Sequence, residues 1–402
     1  MMDYKTPPPG FDPEAITPPP HKDYPFNRAN GVAIDITGSC NMACRYCHEE
    51  IALPKRPFMT AETLEAVWAY FFPNGPGKNS SLHLGVGEPF LNFPLMKRIR
   101  QLVAGTEAKG EGTIAVNVTT NASLIKGEIL DWVLDTDWLY KISLDGPACI
   151  NDRWRILADG TGTYDMISTA VKRMVEKFPG KVTILSVVCP GTDPAEIYKA
   201  AEDLGAAFME MNPMLHPDES QTGGAEDIEM YKRFIHDYCE RTLKNDENKP
   251  KTRYLKFDHY IKRLMGYNMA RVYCGAGRNY LGVGPRGELY ACARFSGLKA
   301  YQLGDVFNGL DHEALRRFQE GAGAPVELRE PCNECWAACI CQGPCFAFAE
   351  ELGPGNHRPS PLLCQYELAT AEAVIHYYNR VKEEDPEQLL QFLPGLEGFM
   401  LQ

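Results

Sequence analysis

Cys40, Cys44 and Cys47 stand in a C-x3-C-x2-C spacing within the octet Cys40-Asn41-Met42-Ala43-Cys44-Arg45-Tyr46-Cys47, directly after the apolar run Val32 to Ile36. Three thiols on one loop can converge on one metal centre. An iron–sulfur cubane ordinarily takes four thiolates, so a local set of three leaves one iron with an open position at which a small molecule can bind and react. The same thiols with His48 also fit a tetrahedral Cys3His zinc site. A second cysteine field opens at Cys274 and runs through Cys292, then Cys332-x2-Cys335-x5-Cys341-x3-Cys345, and ends at Cys364, with Cys339 inside the x5 gap. Taken alone, Cys332-x2-Cys335 can begin a zinc ribbon.

Composition narrows the setting for this chemistry. The chain has 402 residues, 44% hydrophobic and 23% charged, enough to bury a large core. No apolar run reaches ~18 residues and no basic-then-apolar signal region opens the sequence, so the chain is read as cytoplasmic, without a membrane partner. A net charge of -12 argues against a nucleic-acid partner, whose affinity rests on clustered Lys and Arg. Fourteen cysteines in a large cytosolic chain point to metal or catalysis rather than disulfides. Cys149, Cys189 and Cys239 fall outside both fields and read as buried thiols.

The elements that must position these residues alternate. Residues 1–27 are proline-rich and without period, an extended or disordered lead read as a plain tail rather than a segment that wraps the core. Short apolar strands are expected at 31–36, 81–85, 114–119, 138–144, 182–188 and 206–212, with amphipathic helices near 61–72, 93–103, 124–134, 164–177 and 194–204. Six strands each followed by a helix imply a parallel α/β sheet with right-handed crossovers. Such folds place their chemistry at the C-terminal strand ends, where the cysteine loop sits. The same level carries Gly85-Val86-Gly87-Glu88-Pro89 after strand two, Thr119-Thr120-Asn121 after strand three and Ser143-Leu144-Asp145-Gly146-Pro147 after strand four, with Arg155 following. Residues 213–270 read as a helical bridge with no visible chemistry. Residues 280–290 around Pro285-Arg286-Gly287 read as a β-hairpin.

The octet, with an aromatic residue before its third cysteine, resembles the signature of radical S-adenosylmethionine (radical SAM) enzymes. The loops after strands two to four resemble that family's GGEP, Thr-Asn-Gly and SLDGP segments, with Val86 and Ala122 where glycines are usual. The resemblance implies a partial (β/α)6 barrel over 28–212. It also implies a [4Fe–4S] cluster on Cys40, Cys44 and Cys47, whose open iron chelates SAM. One electron then cleaves SAM to a 5′-deoxyadenosyl radical that abstracts hydrogen. SAM contacts are implied for Tyr46, Gly85, Gly87, Glu88, Asn121, Ser143, Asp145 and Arg155.

The second field is similar to the seven-cysteine SPASM pattern, an extension over 271–381 followed by a tail at 382–402. It implies two auxiliary [4Fe–4S] clusters, cluster I on Cys274, Cys292 and Cys345 and cluster II on Cys332, Cys335, Cys341 and Cys364. That makes three clusters in all. Sulfatase-maturating enzymes add a second hairpin cysteine to cluster I where this chain has Tyr280, and a base aspartate where it has Ala293. The sequence most resembles peptide maturases such as the six-cysteine-peptide thioether synthases. That likeness implies a peptide or protein substrate, a cysteine thioether product and a reductant such as ferredoxin or flavodoxin. Such synthases often carry an N-terminal recognition wing. With only a proline-rich lead before strand one, leader recognition is expected to fall to a separate leader-recognition protein or to the barrel face, or to be unnecessary. The alternatives are formylglycine-type or other SPASM oxidation and, in another class, a zinc-binding scaffold.

Overall fold

The computed structural model describes residues 3–16, 31–47, 56–77, 80–110, 112–244, 246–267, 269–355 and 357–393. His48 and the 17–27 part of the lead lie outside them. Six strands, β1 (Gly31–Ile34), β2 (Ser80–Leu84), β3 (Ile114–Thr120), β4 (Leu139–Ser143), β5 (Val182–Val188) and β6 (Phe208–Pro213), pair in parallel in chain order. The intervening helices are α1 (Ala61–Phe71), α2 (Phe93–Glu107), α3 (Glu128–Leu134), α4 (Ala148–Trp154), α5 (Tyr164–Lys177) and α6 (Pro194–Asp203).

Period-two alternation sorts each strand. Leu82, Leu84, Val116, Val118, Tyr140, Ile142, Met209 and Met211 are buried in the common core. Their neighbours His83, Asn117, Thr119, Lys141, Ser143, Glu210 and Asn212 are half-buried on the other face. The polar set is thus turned away from the core, towards the chemistry.

Beyond β6 come α7 (Ala225–Leu243), a short parallel strand β7 (Arg253–Tyr254) and α8 (Leu255–Leu264). The expected hairpin is β8 (Tyr280–Val283) with β9 (Glu288–Tyr290), antiparallel. It is not a separate appendage. β8 pairs in parallel with β1, and β9 continues into β10 (Gln302–Asp305) and β11 (Gly309–Leu310), so one eleven-stranded sheet runs from the second cysteine region through the barrel. Gly282 permits this: a Cβ there would lie 2.2 Å from Ala293 N, so only glycine lets the Cys292–Ala293 backbone cross β8. The remaining helices are α9 (His312–Glu320), α10 (Ala338–Cys341), α11 (Phe346–Glu351) and the 24-residue α12 (Pro361–Glu384), which packs on α7 and α8.

Local chemistry shifts several boundaries. β1 stops at Ile34 because the Asp35 carboxylate turns onto Thr37 N (3.3 Å) and Gly38 N (2.7 Å). α3 starts only at Glu128, after Ala122 and Gly127 adopt positive φ. Cys189 and Cys239 are buried as expected, whereas Cys149, on α4, is exposed.

Residues 3–16 are not a free tail. The Asp3 and Tyr4 carbonyls accept from Trp336 Nε1 (3.1 Å) and N (3.0 Å), and Phe11 meets the Trp336 ring edge-on at 5.9 Å. Restoring these groups to water costs about 2 kcal/mol of apolar burial. Deleting residues 1–16 therefore lowers the thermal unfolding midpoint by roughly 2–5 °C in a calorimetric scan; an unchanged midpoint would show the contact to be incidental.

Candidate functional site

The cysteine loop is tied down before it reaches its thiols. Ala43 N and Arg45 N donate to the carbonyls of Ile156 (2.8 Å) and Trp154 (3.0 Å), and the turn closed by Cys47 N to Cys44 O (3.0 Å) brings two thiol-bearing residues together. The loop after β2 locks against it, with Glu88 N donating to Ser39 O at 2.8 Å. Gly87, at φ +66°, is required there because a Cβ would stand 2.2 Å from Ser39 O. Asn121 Nδ2 reaches Cys40 Sγ (3.4 Å) and Asn41 Oδ1 (3.1 Å), joining the third loop to the first.

These loops enclose a cavity of about 410 Å3 at the C-terminal ends of the strands. Cys40, Cys44, Cys47, Tyr46, Gly85, Gly87, Asn121, Ser143 and Arg155 all line it. Glu88 and Asp145 do not, and both are fully buried. Their carboxylates are spent within the chain. Glu88 accepts from Thr120 Oγ1 (2.8 Å), Asn121 N (2.7 Å) and Phe90 N (3.1 Å), while burial still pushes it up to about 7. Asp145 accepts from Val187 N (2.9 Å) and Tyr46 Oη, and faces Arg155 Nε at 3.0 Å as an ion pair rather than an aligned hydrogen bond. The arginine also lies over the Tyr46 ring, 5.4 Å from its centroid. Of the residues expected to touch a ligand, these two act from behind: Glu88 shapes the Asn121 turn, and Asp145 orients Tyr46 and Arg155.

Two features of the barrel interior escaped the sequence reading. Asp35, fully buried, takes Arg56 Nε at 2.7 Å and Ser296 Oγ at 2.9 Å, tying the base of the cysteine loop to the second cysteine region. Glu210 lines the cavity and pairs with Lys141 Nζ at 2.8 Å. Burial pushes Glu210 up, but Lys141 outweighs it and holds the carboxyl below its ordinary value. A charged residue inside an otherwise apolar strand, as in both β4 and β6, was the signal for this pair.

The thiols form three groups. Burial pushes Cys40 up to about 12 and Cys44 up to about 11, so without a metal they are neutral and poor nucleophiles. Cys332, Cys335, Cys341 and Cys364 line a second cavity of about 480 Å3, whereas Cys339 does not. Cys274, Cys292 and Cys345 lie within electrostatic reach of one another, and of Tyr280. The Tyr280 ring packs on Ala33, Val86 and Ala293 and meets His83 edge-on at 5.6 Å.

Among the described residues, no three His, Cys, Asp or Glu side chains are gathered as tightly as a single ion requires. A tetrahedral ion with bonds of about 2.3 Å to sulfur draws its thiolates close together. A cubane holds them apart around four irons. Four of the thiols line one cavity, and three line the other. Among the described residues, no helix is long and apolar enough to cross a membrane.

Residues 34–204 match the profile of the Radical SAM superfamily. The chain is 23% identical to a serine-type anaerobic sulfatase-maturating enzyme of Bacteroides thetaiotaomicron over 90% of its own length and 93% of the relative's. It is 25% identical to the mycofactocin maturase MftC of Mycobacterium tuberculosis over 78% and 77%. In fold it is similar to a solved structure described as native anSMEcpe with bound AdoMet, with a TM-score of 0.72 at 19% identity, covering 88% of this chain and 99% of that one.

Proposed function

We infer that this chain, which carries a radical SAM domain, is a maturase that abstracts hydrogen from a residue of a peptide or protein and joins that residue to a cysteine sulfur as a thioether. The observation that carries the reading is the convergence of Cys40, Cys44, Cys47, Gly85, Gly87, Asn121, Ser143 and Arg155 on one cavity at the strand ends. Cys40, Cys44 and Cys47 would hold the catalytic [4Fe–4S] cluster, and Tyr46, the glycine loop, Asn121, Ser143 and Arg155 would hold SAM. When bound, these groups supply one-electron cleavage of the sulfonium carbon–sulfur bond and, with it, removal of a substrate hydrogen atom.

The chain's own residues do the positioning. Arg155, braced by Asp145, presents its guanidinium to a carboxylate as a charge-assisted bond. Phe348, Leu352, Met214 and Leu215 give the cavity an apolar wall that excludes water. Glu210 is the carboxylate among the described lining residues, and Lys141 keeps it ionised near neutral pH, a fixed charge in the cavity rather than a strong base. Cys332, Cys335, Cys341 and Cys364 would hold one auxiliary cluster. Cys274, Cys292 and Cys345 would hold the other, with Tyr280 in place of a fourth thiol and room for a substrate thiol, which would lose its proton on binding. The one electron left over when the substrate radical joins the sulfur would pass to that same group. The electron would come from a ferredoxin or flavodoxin, and the working compartment would be the cytoplasm.

The similarity to sulfatase-maturating enzymes favours a second reading, oxidation of Cys or Ser to formylglycine. Ala293, buried where those enzymes resemble this chain but carry an aspartate base, speaks for the thioether. Anaerobic incubation of the reconstituted protein with SAM and dithionite is expected to release 5′-deoxyadenosine, from a brown protein holding roughly twelve irons per chain. A colourless protein with one or two zincs and no nucleoside release would overturn the assignment in favour of a scaffold.

A further inference from the structure

The bridge helix α8 carries chemistry that its sequence did not advertise. Lys256, Tyr260 and Arg263 recur at helical spacing on one face, and that face meets the four-thiol cavity. Arg263 Nη1 donates to the carbonyls of Ile340 (2.7 Å) and Cys341 (3.3 Å). Lys256 Nζ stands 2.8 Å from Glu367 Oε1, with both side chains almost buried, at 12% and 13% exposure. Tyr260 Oη donates its one proton to Glu367 Oε2 at 2.7 Å, beside the Cys341 thiol. Glu367 itself lines the cavity with Cys332, Cys335, Cys341 and Cys364, one turn beyond Cys364 on α12.

We propose that Lys256, Tyr260 and Glu367 form the outer shell of the auxiliary II site and set its reduction potential, with the Lys256–Glu367 pair as the charges beside the four thiols and Tyr260 as the donor that holds the Glu367 carboxylate and offsets its charge. The inference rests on the reading of these four cysteines as cluster ligands. Reduction places added negative charge on the ligand sulfurs, so a donor or a cation nearby favours the reduced state and a carboxylate opposes it. In a site this dry, such charges are weakly screened. Arg263, bonded to two backbone carbonyls, orients the Cys341 turn rather than the charge.

The three positions therefore predict different signs. The test uses full-length, anaerobically reconstituted protein with Cys40, Cys44 and Cys47 replaced by Ala, titrated potentiometrically with EPR detection; the auxiliary II wave is the one that Cys341→Ala removes. Tyr260→Phe and Lys256→Met are expected to lower the reduced-to-oxidised ratio at a fixed poise by about tenfold, the scale of one charge-assisted hydrogen bond and equal to about 59 mV for a one-electron couple. Glu367→Gln is expected to raise that ratio by a similar factor. Iron content equal to the parent's accompanies each variant, and a merely structural disturbance would not reverse sign between them. Waves that coincide with the parent's, or that all move the same way, would overturn the inference while leaving the cluster in place. If no wave disappears with Cys341→Ala, the cluster reading fails and the inference with it.

Discussion

Cys44→Ala protein releases 5′-deoxyadenosine no faster than a protein-free control and loses about four of its roughly twelve irons. The expected drop exceeds a factor of about a thousand, since enzymes supply about a millionfold or more over the uncatalysed reaction and this change removes the cluster on which that acceleration depends. The physical reason lies in the neighbourhood of the thiol. Burial holds Cys44 up to about 11, moderated by the nearby Arg155. At neutral pH it is therefore ionised only when a cationic metal binds it, because coordination deprotonates a thiol outright. Each of the three loop thiols accordingly surrenders a proton on loading, and reconstitution becomes less favourable as pH falls. Asp145, behind Cys44, is not free to substitute, because it is already committed to Arg155, Tyr46 and Val187 N. Cys332→Ala, in the other cavity, leaves nucleoside release in place while lowering the iron count by a similar amount. The measurement is nucleoside quantitation by chromatography beside iron analysis. Release by Cys44→Ala at the parental rate would sink the assignment of the loop.

Much of this arrangement was legible from residue type and spacing. Six apolar strands with intervening amphipathic stretches fixed the parallel sheet, because burial on one face and period-two alternation leave a strong pattern. Loop residues Gly85, Asn121 and Ser143 were singled out by their resemblance to the segments of a known family, and fold topology put them on one level at the C-terminal strand ends. What was not legible depends on pairing across long sequence distances. Nothing in the sequence states that Tyr280 pairs beside Gly31, or that Ser296 bonds Asp35 across 261 residues. Burial direction was hidden too. Glu88 and Asp145 sit in motifs that suggest ligand contact, yet neither lines the cavity: Asn121 N, Phe90 N and Thr120 Oγ1 hold Glu88, and Val187 N, Tyr46 and Arg155 hold Asp145. The bridge helix was missed because Lys, Tyr and Arg at helical spacing are also what a solvated face looks like. Only the position of Glu367 on α12 makes those residues a shell.

Asp35→Ala is expected to cost about 3–5 kcal/mol, the penalty for breaking a buried ion pair by removing one partner. Four donors converge on this carboxylate: Arg56 Nε at 2.7 Å, Ser296 Oγ at 2.9 Å, Gly38 N at 2.7 Å and Thr37 N at 3.3 Å. Asp35 is fully buried and Arg56 is 8% exposed, so water cannot readily take the carboxylate's place. The substitution removes the counter-charge of a guanidinium that lines the reaction cavity, and it frees the first turn of the loop that ends in Cys40. It also cuts a tie between β1 and the segment following Cys292. Stability and nucleoside release should therefore fall together, and the effect should depend on Arg56. Replacing both partners, as Asp35→Ala with Arg56→Met, removes the buried charge along with its counter-charge and should recover a substantial part of the loss, because an apolar pair of similar bulk is often neutral in such a site. Denaturant unfolding of parent, single and double variants closes a double-mutant cycle. A coupling below about 0.5 kcal/mol would mean that the ion pair is incidental and that the loop is held by its bonds to Trp154, Ile156, Glu88 and Asn121 instead.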